Sequence, residues 1–213
     1  MRSSTRAAAL ATAGIAVAIA ATITVIALQN QQPATDPGTG AVVDTGPRIL
    51  AEGSTGITLV EFADFECPSC AAFAPILKEL RAEFAGEITF AFRHFPLPQH
   101  AHAVEAAIAA EAAGRQDLFV EMQDALFTSQ QQWAGSDDPS DTFRGLAEQI
   151  GLDLTQYDAD ILDPSLRETV EADAAAGAAA GVRSTPTFFL DGEPVPLQEY
   201  SDLRDALVAA TAD

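Results

Sequence analysis

The only two cysteines of the 213-residue chain, Cys67 and Cys70, lie three positions apart in the hexapeptide FECPSC. Residues with this spacing share one face of a helix, which brings two sulfurs close enough to form a disulfide. Pro68 suits the first helical position, where its missing N–H is not needed. Cys67 would then face the free N–H groups and the positive end of the helix dipole, which favour its thiolate. The spacing predicts a redox-active pair with an exposed, attacking Cys67 and a buried Cys70 that is harder to ionise.

Two other roles for this pair remain open from the sequence. A structural disulfide would close a loop of only four residues, and the stabilisation from loop closure grows with loop length. A zinc site would need further ligands from His94, His100 and His102, whose spacing does not match the usual finger pattern. Because a strand precedes the motif and a helix follows it, we favour thiol–disulfide chemistry. We predict neither a metal site nor a bound cofactor.

The apolar pattern predicts the elements that position the motif. Residues 57–62 (ITLVEF) read as a strand, and from Pro68 to Phe84 apolar residues recur every three or four positions, which is typical of a helix. Residues 88–92 (ITFAF) read as a second strand. Helical patterns cover residues 100–114, 117–127, 141–151 and 164–181, and Gly and Pro residues separate them. Two strands with a turn at Asp191–Gly192 and a final helix over 197–210 complete an α/β order of β-α-β, a helical block, and β-β-α.

The N-terminus predicts export. Arg2 and Arg6 precede an uncharged run at residues 7–28, which is long enough to span a bilayer. A cleaved signal, whose apolar stretch is about 7–15 residues, is the alternative. In either case the positive end stays in the cytoplasm, so we predict a catalytic domain on the extracytoplasmic side. Residues 29–48, rich in Gln, Pro, Gly and Thr, predict a flexible linker.

The net charge of −20 describes a strongly acidic protein. Such a charge repels the phosphate backbone, so we predict no nucleic-acid partner. A solvated acidic surface is the simplest interpretation.

Three segments resemble one known family. TLVEFADFECPSC is similar to the active-site segment of thioredoxin-fold proteins, and the helical block is similar to the insertion of their DsbA-type branch. GVRSTPTFFLDG, and FRHFPLPQHAHAVEAAIAAEAAGRQDLFVEMQDALF followed by Trp133, resemble membrane-anchored bacterial and archaeal members. The resemblance covers residues 49–213 and implies a thioredoxin fold with a helical insertion at about 100–181.

The resemblance also implies roles for particular residues. Cys67 matches the nucleophile and Cys70 the resolving cysteine, with Pro68 and Ser69 between them. Thr185 and Pro186 match the cis-proline loop, which would lie against the disulfide and bind an extended substrate. A trans proline that begins a strand is the alternative.

Glu61 lies six residues before Cys67 within an apolar strand. A carboxylate there would be buried with a raised pKa and could take the Cys70 proton, a role that the resemblance also suggests. The alternative is a solvent-facing residue at a strand edge. Glu66 is expected to be a solvated charge and His94 a structural residue, and His100 and His102 are expected to be exposed.

These observations predict an extracytoplasmic protein thiol–disulfide oxidoreductase held in the membrane by residues 7–28. It would donate the Cys67–Cys70 disulfide to reduced or misoxidised exported proteins. The resemblance implies a membrane oxidase that reoxidises the cysteines. Two alternatives remain: a reductase of the same fold for cytochrome maturation or repair, and a non-catalytic holdase or adaptor for exported chains.

Overall fold

The computed structural model describes residues 46–212. The predicted membrane anchor (7–28) and the linker as far as residue 45 lie outside these residues. Within the described segment, no helix combines the length and the hydrophobicity needed to cross a bilayer. Arg48, the last residue of the predicted linker, is the first residue of a strand.

Five strands of the described chain form one mixed sheet in the order β1-β3-β2-β4-β5. Their bounds are Arg48–Ala51 (β1), Thr58–Ala63 (β2), Thr89–His94 (β3), Thr187–Leu190 (β4) and Glu193–Pro194 (β5). β2 and β3 run parallel, which requires a crossover, and helix α1 (Pro68–Glu83) provides it. The other pairs are antiparallel. The sheet has the predicted β-α-β and β-β-α order together with an edge strand, β1, that the sequence pattern did not reveal.

Between β3 and β4 the described chain forms five helices. They are Ala103–Gly114 (α2), Phe119–Trp133 (α3), Ser140–Gln149 (α4), Leu154–Asp160 (α5) and Pro164–Ala179 (α6). The sequence pattern predicted all of them except α5, whose seven residues are too few for a periodic signal. A last helix, Ser201–Thr211 (α7), follows the sheet. The fold is therefore a mixed α/β thioredoxin-like fold with a helical insertion.

Alternation along β2 divides the core between the two faces of the sheet. Leu59 packs in an apolar cluster with Leu77 of α1 and with α7. Phe62 lies on the opposite face, where α6 approaches so closely that a Cβ at Gly177 would lie 2.9 Å from the Phe62 ring. By the period of two, Glu61 shares the face of Leu59 and is directed toward α1.

Candidate active site

The CPSC motif lies where the chain leaves β2 and enters α1. Cys67 is the N-cap residue, with an extended backbone (φ −74°, ψ 121°), and Pro68 occupies the first turn. The Cys67 N–H donates to the Asp64 carbonyl at 3.1 Å, which closes the turn before the helix. Both cysteines are free thiols in this structure. The structure thus places Cys67 at the positive end of the α1 dipole.

The Cys67 thiol is enclosed and strongly acidic. Cys67 is only 6% exposed, so the expectation of an exposed attacking thiol was wrong. Its sulfur is covered by the loop that contains Thr185, whose carbonyl oxygen lies 3.4 Å away. A hydrogen bond with the Cys70 thiol is the main cause that lowers the pKa of Cys67 to about 5. Burial opposes this shift, while Thr185 and the N–H groups of Ser69 and Cys70 add to it. Cys67 is therefore a thiolate at neutral pH.

Cys70 has the opposite ionisation. It is fully buried, and burial is the main cause that raises its pKa far above the ordinary value. The hydrogen bond with Cys67 and the negative charge of Glu61 raise it further. Cys70 therefore stays protonated and can attack a disulfide only when another group takes its proton.

The loop before β4 lies against Cys67. The Thr185–Pro186 peptide bond is cis, so the trans alternative does not hold. Thr185 is buried, and its hydroxyl oxygen Oγ1 makes no hydrogen bond with the described residues while Cys67 is a thiol. This hydroxyl is therefore available to the Cys67 thiolate, in agreement with its part in lowering the pKa of that cysteine.

Glu61 is buried under α1. It is 4% exposed, which excludes the solvent-facing alternative, and its Oε1 has no hydrogen-bond partner in the described part of the chain. Burial raises the pKa of Glu61 to about 8, although the Arg81 cation pulls it down. Glu61 can therefore exchange a proton near neutral pH. Because its charge also raises the pKa of Cys70, the two groups lie within electrostatic reach.

A residue of the helical insertion, which the sequence did not single out, holds the active-site turn. The side-chain amide of Gln130, in α3, donates to the carbonyl oxygens of Phe65 at 2.7 Å and Cys67 at 3.0 Å. These carbonyls lie in the turn that carries the nucleophile. Gln130 is the first of three consecutive glutamines, and nothing local distinguishes it from the next two.

The acidic residues beside the motif are buried and hydrogen-bonded. Glu66, expected to be a solvated charge, accepts the backbone N–H of His102 at 2.7 Å. Asp64 accepts the Leu97 N–H at 2.8 Å and contacts the His100 ring at 2.6 Å. The side chains of His100 and His102 are 17% and 12% exposed, so the expectation that both are exposed was wrong. The segment after β3 folds back over the CPSC turn, which a local pattern does not show.

The three histidines pair with protein groups instead of gathering around the cysteines. His94 is buried, as a structural residue would be, with Nε2 3.0 Å from a Glu111 oxygen. His102 Nε2 lies 2.8 Å from the Ser136 carbonyl oxygen. Across residues 46–212, no three His, Cys, Asp or Glu side chains are grouped so that they could hold a metal ion.

The fold is similar to those of several solved structures. Oxidised BdbD from Bacillus subtilis superposes with a TM-score of 0.72 at 20% identity, over 83% of this chain and 98% of that chain. The thiol-disulfide exchange protein alpha-DsbA2 from Wolbachia pipientis superposes with a TM-score of 0.69 at 18% identity, over 80% and 90%. The protein therefore has a DsbA-like thioredoxin fold. The family model described as Thioredoxin matches residues 48–209, and the chain belongs to this family.

The curated relatives are larger proteins. The Na(+)/H(+) antiporter NhaA of Herminiimonas arsenicoxydans is 39% identical over 136 residues, which are 64% of this chain and 21% of that protein. The Na(+)/H(+) antiporter NhaA 1 of Mycolicibacterium gilvum is 39% identical over 142 residues, 64% of this chain and 22% of that protein. The chain spans about a fifth of the length of these relatives, so the similarity concerns one part of each.

Proposed function

We propose that the protein is an extracytoplasmic thiol–disulfide oxidoreductase that donates the Cys67–Cys70 disulfide to exported proteins. The observation that carries this proposal is the opposite ionisation of the two cysteines, with a pKa of about 5 for Cys67 and a strongly raised pKa for Cys70. A thiol of low pKa leaves a disulfide readily, and stabilising its thiolate makes the disulfide more oxidising. Membership of the Thioredoxin family and the DsbA-like fold support the same reaction class.

The proposed reaction proceeds through a mixed disulfide. A client thiolate attacks the Cys67 sulfur of the disulfide, and Cys70 leaves as a thiolate that takes a proton from Glu61. A second client thiolate then attacks the client sulfur, which closes the client disulfide and releases Cys67 as a stable thiolate. Two electrons pass from the client to the cysteine pair, and the exchange is divided between Cys67, at the start of α1, and the fully buried Cys70.

The client would lie along the cis-proline loop. Pro186 lacks an N–H, and the backbone groups around Thr185 and Pro186, beside Cys67, would pair with an extended chain. Pro68 and Ser69 are exposed at the same end of α1 and would contact the client directly. A cleft of about 300 Å³ begins at Ser69 and would take an apolar client side chain. Its lining residues are Ser69, Phe73, Leu197, Gln198, Glu199 and Tyr200.

The membrane location belongs to the proposal as well. Residues 7–28 would hold the domain on the outer side of the membrane, with 29–48 as a linker and 49–213 as the catalytic part. The curated relatives with a matching part are antiporters, which act across a membrane. A membrane oxidase would then reoxidise Cys67 and Cys70 after each cycle.

The test is a trap for the mixed disulfide in the full-length protein. Cys70→Ala removes the resolving thiol, so the variant is first converted with oxidised glutathione to a mixed disulfide at Cys67. A client thiolate that attacks the Cys67 sulfur then displaces glutathione, and we expect covalent adducts between Cys67 and reduced client proteins that dissolve on adding dithiothreitol. Cys67→Ser in the same background is the matched control and should give none. If Cys70→Ala forms no adducts, or if Cys67→Ser retains full activity as a non-catalytic adaptor would, the proposal is wrong.

The reduction potential of the wild-type pair decides the direction. A potential near about −120 mV marks an oxidant, and one near about −270 mV marks a reductant. Equilibration with glutathione buffers of known ratio measures it. We expect the oxidising value, because the Cys67 thiolate is strongly stabilised.

A further inference from the structure

Glu61 is buried, and the cavity next to it lies close to an open cleft in the protein surface. A cavity of about 10 Å³, room for the centre of one water molecule, lies beside it. Residues of β2, α1 and α3 line it, namely Glu61, Ala74, Leu77, Arg81, Gln123, Asp124 and Phe127. An open cleft of about 300 Å³ shares Ala74, Asp124 and Phe127 with this cavity. The cavity beside Glu61 and the open cleft therefore share part of their wall, between the active-site helix and the insertion.

Arg81 lines the cavity beside Glu61, and the insertion holds it there. The Arg81 side chain is only 13% exposed, and its Nη1 donates to Gln123 Oε1 at 3.2 Å. Its Nη2 lies 3.8 Å from Asp124 Oδ1, and Asp124 also binds Lys78 at 2.6 Å. Gln123 is 4% exposed, and its buried side-chain oxygen accepts the hydrogen bond of the Arg81 guanidinium. Two neighbouring residues of α3 thus fix a cation of α1 next to Glu61.

We propose that Gln123 and Asp124 are positioning residues for the Cys70 proton, because they hold Arg81 in the wall of the cavity beside Glu61. The helical insertion then takes part in the chemistry of the CPSC motif through its effect on Glu61. This inference rests on the proposed function, in which Glu61 exchanges a proton with Cys70.

The proton follows a balanced step during reoxidation. When Cys70 attacks a mixed disulfide at Cys67, a bond forms between the two cysteine sulfurs and the bond from Cys67 to its partner breaks. The partner leaves as a thiolate, and the Cys70 proton passes to the Glu61 carboxylate and then through the cavity to solvent. Glu61 must be ionised when the step begins, and the Arg81 cation favours that form.

Few other charges act on this step. The charged groups that line the two cavities or act on Glu61 are Lys78, Arg81 and Asp124, and Cys70 is the thiol on which Glu61 acts. The register partners of Glu61 on β3 and β4 are Phe92 and Phe188, which carry no charge. Arg81 is therefore the group whose removal changes Glu61 most.

The test follows the closure of the Cys67–Cys70 disulfide as a function of pH. Reduced full-length protein is mixed with enough oxidised glutathione that the attack of Cys67 is no longer limiting, and acid-quenched samples are read by mass spectrometry. Wild type should show a rate that rises with a midpoint near the Glu61 pKa of about 8. Arg81→Met should move this midpoint up by about one pH unit or more and slow closure at pH 7 about tenfold.

Matched variants separate positioning from a merely structural role. Gln123→Met keeps the side-chain length but removes the amide, so it should move the midpoint in the same direction by a smaller amount. Arg81→Lys keeps the charge and should retain most of the wild-type profile. Glu121→Gln, on the exposed side of α3, should leave the profile unchanged. Glu61→Gln should abolish the pH-dependent rise.

The possible failures are distinguishable. If Glu61→Gln abolishes the rise while Arg81→Met and Gln123→Met keep the wild-type midpoint, the positioning role is wrong and the oxidoreductase function stands. If Glu61→Gln also keeps the wild-type profile, Glu61 does not handle the proton and the inference is overturned. If wild type never closes the disulfide, the proposed function fails and the inference fails with it.

Discussion

Two groups of buried polar residues lie near the same sheet, and their partners differ. The first, here called the paired cluster, comprises the buried Arg93, His94, Glu111 and Asp173 together with the partly exposed Arg48. Glu111 accepts from both Arg48 and His94. Asp173 accepts the Arg93 guanidinium at 2.8 Å and the His94 N–H at 3.0 Å. Each carboxylate of this cluster is bound by two donors.

The active site leaves polar atoms without such partners. Glu61 Oε1 and Thr185 Oγ1 are buried and make no hydrogen bond with the described residues. Among residues 46–212, Arg81 is the cation that acts on Glu61, and it is held by the insertion. A buried polar group without a partner is costly, so such groups persist mainly where chemistry uses them.

The ionisation of Glu61 and Glu111 shows what this difference means. Burial would raise the pKa of Glu111, but the bonds and charges of His94 and Arg48 bring it below its ordinary value. Burial dominates at Glu61 and raises its pKa to about 8. At Glu111 the two partners outweigh burial and hold the charge, whereas at Glu61 burial prevails and a proton can be exchanged. Asp173, although bound by two donors, has a raised pKa because burial is the largest influence on it.

The largest expected effect comes from breaking the paired cluster. Glu111→Ala leaves the buried His94 and Arg48 without their shared acceptor, so the free energy of unfolding should fall by about 3 kcal/mol or more. Urea denaturation measures this, with the exposed Glu148→Ala as control. The pKa of Cys67 should not change. A shift of a full unit in the Cys67 pKa would mean that the paired cluster and the active site are electrostatically coupled.

Glu61→Gln should have the opposite effect on stability. The folded-state pKa of Glu61 is raised from 4.5 to about 8, so its contribution to stability is present below 4.5 and is lost as pH rises through 8. The variant should therefore gain stability over wild type progressively across this window. Denaturation of the oxidised forms, which have no free thiol, measures it. A difference that does not depend on pH would contradict the assigned pKa.

Gln130→Leu tests the contact between the insertion and the CPSC turn. The change leaves the buried Phe65 and Cys67 carbonyls without their side-chain donor, so stability should fall by about 2 kcal/mol. The exposed neighbour Gln131→Leu is the matched control and should change it little. Equal effects of the two substitutions would show that the turn does not depend on Gln130.

Thr185→Val should give the smallest effect. The substitution keeps the shape but removes the buried hydroxyl, so the pKa of Cys67 should rise by less than about one unit. Titration of the reduced variant measures it, and Thr128→Val, on the exposed side of α3, serves as control. An unchanged or lower Cys67 pKa would show that the Thr185 hydroxyl does not stabilise the thiolate.

The sequence predicted what depends on local pattern. The cysteine spacing, the proline after Cys67 and the apolar run around Glu61 are each visible within a few residues, and the structure places them as expected. Strand β1 and helix α5 were not predicted, because segments of four and seven residues are too short to show a clear periodic pattern. The resemblance supplied the cis bond at Pro186, which no local pattern specifies.

The contacts made by the insertion could not be predicted. Arg81 and Gln123 are 42 positions apart, and Gln130 is 65 positions from Phe65, so their pairing depends on how α3 packs against α1. The burial of Glu66, His100 and His102 was missed for the same reason. Polar residues in a loop look solvated until the segment that covers them is known.

Titration of Cys67 in the reduced full-length protein tests the central claim most directly. Thiolate absorbance followed against pH should show one thiol ionising with a midpoint near 5, while Cys70 stays protonated well above neutral pH. A first midpoint near 9, the ordinary value for a cysteine thiol, would contradict the account.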